Sequence, residues 1–286
     1  MISVLILTKN EESDLRGCLQ SVAWADDIHV YDSHSTDRTV EIARASGAQV
    51  TQRVFDNWSA HLNWGLANIP FKHPWVLHLD ADERATPELA ASIQQAVHNP
   101  GDKIAFRIAR RDFWGTQPLN HVVTSPFNIR LFRPEKMQYG RLVNPVSLPL
   151  GPVGDIAGYF EHYPFSKGIT HWLARHNSYS SLEAQQIAQD RAANQGFRMS
   201  QAFLAPDRNV RRFHQKELFY RLPARPLLKF LLLYFCKGGF LDGREGLAYA
   251  VLQSLYEYMI VLKTVELNKQ TSEITPVGNA RPSVAS

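Results

Sequence analysis

Trp75-Val-Leu-His-Leu-Asp80-Ala-Asp82-Glu83 is the stretch that decides the fold: an apolar run that stops on two aspartates one residue apart, with a glutamate behind them. A run of this composition reads as a strand buried on both faces, as in a parallel α/β sheet. Its acidic cluster then sits at the strand's carboxyl end, where open α/β sheets place their ligands. Carboxylates at this spacing suit an oxygen-seeking ion such as Mg²⁺ or Mn²⁺, which in turn grips phosphate. The bland alternative is a solvated loop, with Arg84, Thr86 and Pro87 opening the next helix.

Upstream, the same pattern recurs. Residues 2–8 read as a buried strand ended by Thr8, Asn10 and Glu11, and Ser13 is placed to cap a helix over 14–22. Ile28 to Tyr31 forms a second strand, ending on Asp32, Ser33 and Asp37; Asp37 can cap a helix over 38–46 that Gly47 stops. A strand over 49–54, a helix over 58–66, the strand over 75–79 and a helix over 87–97 complete the alternation. It predicts an α/β fold with a parallel sheet and right-handed crossovers. Three strand ends with polar residues on one edge converge on a crevice, and a nucleotide is the commonest occupant of such a place. No G-x-G-x-x-G follows the first strand and no G-x-x-x-x-G-K-[ST] occurs, which disfavours dinucleotide and P-loop chemistry. A metal held by aspartates is then the way to neutralise a diphosphate.

The 286 residues carry a net charge of +4, which fits an acidic partner such as a nucleotide or anionic lipid. Cys18 and Cys236 are too few for a disulfide framework and point to a reducing cytoplasm. The amino terminus does not read as a signal peptide, and no apolar run reaches the roughly 20 residues needed to span a bilayer. From about 207 the chain turns basic and aromatic, with Arg211, Lys216, Arg221, Arg225, Lys229 and Lys237 beside Phe213, Phe219 and the run 227–235. This reads either as a face for an anionic membrane surface or as a core helix with a solvated basic side. The basic residues lie beside long apolar runs and no recognised module is present, so nucleic acid is disfavoured as a partner.

The segments Val4-Leu-Ile-Leu-Thr8-Lys-Asn10-Glu11-Glu, Trp24-Ala-Asp-Asp-Ile28, Tyr31-Asp32-Ser-His-Ser-Thr-Asp37 and Leu79-Asp80-Ala-Asp82-Glu83-Arg resemble the bacterial family 2 glycosyltransferases that build lipopolysaccharide core or exopolysaccharide. The resemblance covers roughly residues 1–265 and implies a GT-A fold, a Rossmann-like nucleotide half joined to an acceptor half. It implies a catalytic domain over 1–200 divided near 100, to which the residue pattern adds a basic amphipathic helical extension over 201–267 and a disordered tail over 268–286. The implied activity is inverting transfer of a sugar from a nucleotide donor, often UDP-linked, to a glycan or lipid-linked acceptor. Mg²⁺ or Mn²⁺ would sit at the D-x-D motif, in a cytoplasmic protein lying against the inner face of the membrane. A non-catalytic nucleotide-sugar-binding descendant is the alternative. A nucleotidyltransferase is a weaker rival, because it would want a glycine- and lysine-rich phosphate loop.

Carried over by position, Thr8, Asn10 and Glu11 would line the base and ribose pocket, with Asp32 and Asp37 near the base and Asn63 on the same pocket. Asp80 would face the ribose and diphosphate, and Asp82 would bind the metal. Asp37 reads equally as a helix cap, and Asn63 as part of a polar helix face. Arg130 would meet diphosphate or sugar, or else form a salt bridge within the sheet. Trp114, in an expected loop, would stack on a sugar or simply be buried. His162 would be a third metal ligand or a structural histidine. Arg175, Tyr179 and Glu183 share one helical face, which would line the acceptor site or brace the two halves, bracing being preferred. Relatives carry Val-His-Glu where this chain has Val143-Asn144-Pro145, so the carboxylate that takes the acceptor's proton must lie elsewhere. Asp112 and Glu83 are the candidates, with Asp155 weaker because Gly151 to Gly154 reads as a surface turn.

Overall fold

The computed structural model describes residues 1–123, 127–192, 197–206, 208–222 and 224–274. The first half runs β1 (Ser3–Thr8), α1 (Leu15–Ser21), β2 (Asp27–Asp32), α2 (Thr39–Ala45), β3 (Gln49–Gln52), α3 (Trp58–Asn68), β4 (Val76–Asp80), β5 (Glu83–Ala85) and α4 (Pro87–His98). Then come β6 (Ala105–Trp114), β7 (Gln117–Leu119), β8 (Phe127–Phe132), β9 (Met137–Gly140), β10 (Val146–Pro149) and β11 (Val153–His162). The helices α5 (Gly168–Ala192), α6 (Met199–Leu204), α7 (Arg208–Arg221), α8 (Arg225–Leu231) and α9 (Gly243–Ile274) follow.

In the nine-stranded sheet the order is β3-β2-β1-β4-β8-β6-β11-β5, with β7 on β6. The strands β3, β2, β1 and β4 are parallel, as are β6 and β11; β8 runs antiparallel between β4 and β6. Side chains alternate across the sheet. Val4 and Ile6 pack with Leu15, Cys18, Leu77 and Leu89 on one face, while Leu5 and Leu7 pack with Tyr31, Leu62 and Phe132 on the other. Both faces are covered, so β1 is buried throughout and apolar from Val4 to Leu7. Two helices start on side-chain caps: Asn57 accepts from the Ala60 N–H and Thr86 from the Leu89 N–H. Ser13 does not cap α1; its hydroxyl donates to Asp14. β11 bulges between Ile156 and Tyr159, and Gly158 there has φ +98° with Leu89 of α4 so close that a Cβ would lie 3.2 Å from its Cα.

The chain divides into two compact units, and the division is not the linear one expected. The first holds residues 1–175 and takes back 230–251. Asp242 explains the return: its carboxylate accepts the N–H groups of Asn120, His121 and Val122 and meets the His121 ring. Leu233, Tyr249 and Ala250 pack there on Leu119, Val122 and Val123. The second unit, residues 176–229 and 252–286, is helical where described. It buries Ile187, Tyr220 and Ile260, and Glu183 takes Lys216 and the Tyr220 hydroxyl. Residues 268–274, expected in a disordered tail, extend α9; residues 275–286 lie outside the described residues, as do Ser125 and Pro126 before β8.

Candidate active site

Because β1, β2, β4, β6 and β11 run the same way, their carboxyl ends share one edge of the sheet. Thr8, Asp32, Asp80, Asp112 and His162 stand there. The turn Ala81–Asp82 leads from β4 straight into β5, whose Glu83 pairs with His162 across from Asp112 on β6. That return of the far edge brings Asp82 into the acidic cluster.

Asp82 is 8% exposed, and its Oδ2 lies 3.5 Å from both His162 Nε2 and Arg175 Nη1. His162 Nδ1 meets Asp112 Oδ1 at 2.8 Å, and Arg110 Nε donates to the same oxygen at 2.8 Å. Burial and Arg110 oppose a charge on His162, but Asp112 and Asp82 outweigh them and push its pKa up to about 9. Burial works against ionisation of Asp82 as well, yet His162, Arg175 and Arg110 hold its carboxyl far below the usual range. Beside this group Arg130 Nη2 donates to Asp80 Oδ2 at 2.7 Å and to Glu83 Oε1 at 2.8 Å, while Glu83 Oε2 accepts the Asp80 N–H at 2.9 Å. Arg130 thus serves as an ion pair inside the cluster.

Glu83 and Asp112, the two expected bases, are 0% and 1% exposed with their oxygens committed to these partners. Closed off from solvent and committed in this way, each orients a neighbour in this arrangement, and neither presents a free oxygen to an acceptor hydroxyl. Asp112 also lies within β6, not in a loop, and Trp114 at the end of that strand packs on Phe165 with ring centroids 3.9 Å apart. Asp155 is on the surface in β11, paired with Arg107.

On the β1 and β2 side, Asp32 is fully buried and saturated. Its oxygens accept from Thr8 Oγ1 and Gln52 Nε2 at 2.9 Å, the Ser35 N–H at 2.9 Å and the Ser35 hydroxyl. Asp37 accepts the Glu12 and Thr39 N–H groups, but the N-cap position of α2 is Arg38, which makes no side-chain cap, so Asp37 stands one residue ahead of the expected cap. Asn10, at φ 55°, is exposed and accepts the Thr36 N–H. Glu11 pairs with Lys167 at 2.6 Å; burial outweighs that lysine and raises its pKa to about 7. Asn63 is elsewhere. It clips Tyr139 of β9 through two backbone hydrogen bonds and lines a cavity of about 1090 Å³ beside Ile69–Pro74, the loop entering β4 at its amino end.

Two basic residues, Arg110 and Lys167, escape the sequence reading of the site, while Arg175 enters it as a brace or acceptor-site residue. Arg110 could have been found from its i, i+2 relation to Asp112 on one strand face. Lys167 stands in the turn just ahead of α5, where no helical spacing links it to Arg175.

Asp82 and His162 fit a divalent ion. Neighbouring ligands each about 2.1 Å from one ion lie roughly 3–3.5 Å apart, and an outer carboxylate such as Asp112 is the usual orienter of a ligating imidazole. Among the described residues no group of three or more His, Cys, Asp or Glu converges to cage an ion, so the remaining positions would fall to ligand oxygens and water.

Comparison with known proteins follows this geometry. Over 92% of its length the chain is 25% identical to the lipopolysaccharide core biosynthesis glycosyltransferase LpsC of Rhizobium meliloti (strain 1021), covering 91% of that protein. It is 24% identical to the glycosyltransferase RT0209 of Rickettsia typhi, covering 97% of this chain and 91% of the relative. Among solved structures, glucosyl-3-phosphoglycerate synthase from Mycobacterium tuberculosis with Mn²⁺, UDP and glucosyl-3-phosphoglycerate matches 40% of this chain and 44% of its own, at 24% identity and a TM-score of 0.33. The model of glycosyl transferase family 2 matches residues 3–149, half of the chain, and the protein belongs to that family of enzymes, with the GT-A arrangement of its sheet.

Proposed function

We propose that this glycosyltransferase moves a sugar, with inversion, from a UDP-sugar to a glycan or lipid-linked glycan acceptor in lipopolysaccharide-core or related cell-surface polysaccharide synthesis. The observation that carries the reading is the Asp82–His162–Asp112 arrangement at the carboxyl ends of parallel strands, flanked by Arg130 and Arg175. The name borne by the full-length relative from Rhizobium meliloti supports the choice of pathway class.

Asp82 and His162 would hold Mg²⁺ or Mn²⁺, which when bound supplies charge stabilisation to the departing nucleoside diphosphate. Asp112 keeps the His162 ring turned toward Asp82, and Glu83 keeps Arg130 and Asp80 in place. Thr8, Asn10 and Glu11 border the nucleoside side of the crevice. A lipid-linked acceptor suits the exposed apolar side chains Leu231, Phe235, Phe240 and Leu241, which fit contact with a membrane surface. No described helix is long and apolar enough to cross a bilayer.

A thermal-shift screen of nucleoside diphosphates with and without Mn²⁺ tests the donor, since a ligand of the native state must raise the melting temperature. UDP is expected to act, and only with the ion present. No shift with any nucleoside diphosphate sinks the donor assignment. Release of labelled sugar from UDP-sugars, measured with and without lipopolysaccharide-core acceptors, separates an enzyme from the binding-protein alternative.

A further inference from the structure

The oxygen Asp82 Oδ2 has two cations on it at the same 3.5 Å, but they are not held alike. His162 ends a strand and is fixed from behind by Asp112. Arg175 reaches in from α5, and a quarter of its side chain is exposed. A separation of 3.5 Å is well beyond the roughly 2.7–2.9 Å of a charge-assisted hydrogen bond, so Coulomb attraction rather than a formed bond joins Arg175 to the carboxylate, while its Nη2 donates to the Pro164 carbonyl at 3.4 Å.

We propose that Arg175 is an internal counter-cation, which neutralises Asp82 while no ion is bound and passes to the nucleotide's diphosphate once a divalent ion takes that carboxylate. This rests on the metal reading of Asp82 given above. A buried carboxylate without a counter-charge is costly, and in the empty enzyme Arg175 shares the compensation of Asp82 with the His162 ring. A divalent ion arriving at Oδ2 over-compensates the acid and repels the guanidinium beside it. The diphosphate then brings negative charge and planar acceptor edges that match the guanidinium fork. Lys167, just ahead of α5, pairs with Glu11 at 2.6 Å, so cations from this one segment sit on two carboxylates of the site, one in a formed bond and one at a longer distance.

The proposal predicts effects of opposite sign, which a bracing residue would not produce. In full-length protein, Mn²⁺ binding is followed by electron paramagnetic resonance of the free ion, and UDP binding by calorimetry at saturating Mn²⁺. Arg175→Gln is expected to bind Mn²⁺ alone about tenfold more tightly, having lost its competitor, and UDP about tenfold more weakly. Arg175→Lys keeps the counter-charge, so its Mn²⁺ affinity stays near wild type while UDP binding falls in part. An Arg175→Gln protein with unchanged or weaker Mn²⁺ affinity, or with undiminished UDP affinity, overturns the proposal. So does loss of both affinities together with a lowered melting temperature. Asp82→Asn separates the two levels: if it binds Mn²⁺ as wild type does, the metal reading itself fails; if it loses Mn²⁺ while Arg175→Gln behaves as wild type, only the counter-cation idea fails.

Discussion

Asp32 and Asp82 both stand where strands of the same sheet end, and they are held in opposite ways. Asp32 is saturated by neutral donors at hydrogen-bond distance, from Thr8, Ser35 and Gln52. Asp82 faces charged groups 3.5 Å away. The first arrangement is rigid and self-satisfied, with nothing left to offer a ligand. The second is balanced only by charge, and an incoming cation can replace its partners. Position at a strand end therefore makes an aspartate a candidate, and the company it keeps decides its use.

The largest effect expected from that contrast is at Asp82. Replacing it by asparagine should cut the transfer rate about a thousandfold or more while the far-ultraviolet circular dichroism stays that of the folded protein. Full transfer by that variant at saturating Mn²⁺ would break the comparison at its catalytic end. Asp32→Ala should act on stability instead. It leaves several buried donors without an acceptor and should cost about 3 kcal/mol, read from the urea midpoint. An unmoved midpoint with loss of UDP binding would show that Asp32 is a ligand after all.

A smaller effect concerns pH. His61 is buried, stacks on Tyr31 at 4.1 Å and has Arg53 3.1 Å from Nδ1; burial first, then Arg53, lower its pKa to about 4. The unfolded chain, near the ordinary 6.5, takes the proton more readily. Stability from this group is thus complete above pH 6.5, falls as the pH drops toward 4, and is level below that. The loss should amount to about 2 kcal/mol. His61→Phe should flatten that part of the pH–stability curve; an unchanged slope would assign it to other groups. The smallest effect is at Asn63, whose two hydrogen bonds hold β9 away from the strand ends. Asn63→Ala should cost about 1 kcal/mol and leave transfer kinetics alone; a raised KM for the donor would return Asn63 to the nucleotide pocket.

Much of the first half was legible because each of its signals is local. The apolar runs of β1 and β4, Thr86 and Pro87 ahead of α4 and Gly47 at the end of α2 act within a few residues, so element types and most boundaries follow from spacing. Asp80 and Asp82 could be read for the same reason. Glu83 and Asp112 could not, because burial depends on what packs above a carboxylate. Glu83 is sealed by pairing of β5 with β11, some 80 residues later, and Asp112 by Arg110 and His162. Asn63 carried no sign of its target, since Tyr139 lies 76 residues away. The segment over 201–267 is helical where described, but its return to the first unit was out of reach for a related reason: Asp242 and Leu233 tie residues 230–251 to the chain around 119–123, a contact no periodicity encodes.

From sequence alone came the alternation of strand and helix, the polar strand ends and the D-x-D spacing, all set by short-range backbone preference and hydrophobic pattern. The tertiary structure alone decided which acids are sealed and which remain exchangeable, because the cations and donors that settle the matter arrive from distant strands and from α5. Charge and hydrogen bonding depend on distances of a few ångströms, and only the folded chain sets those.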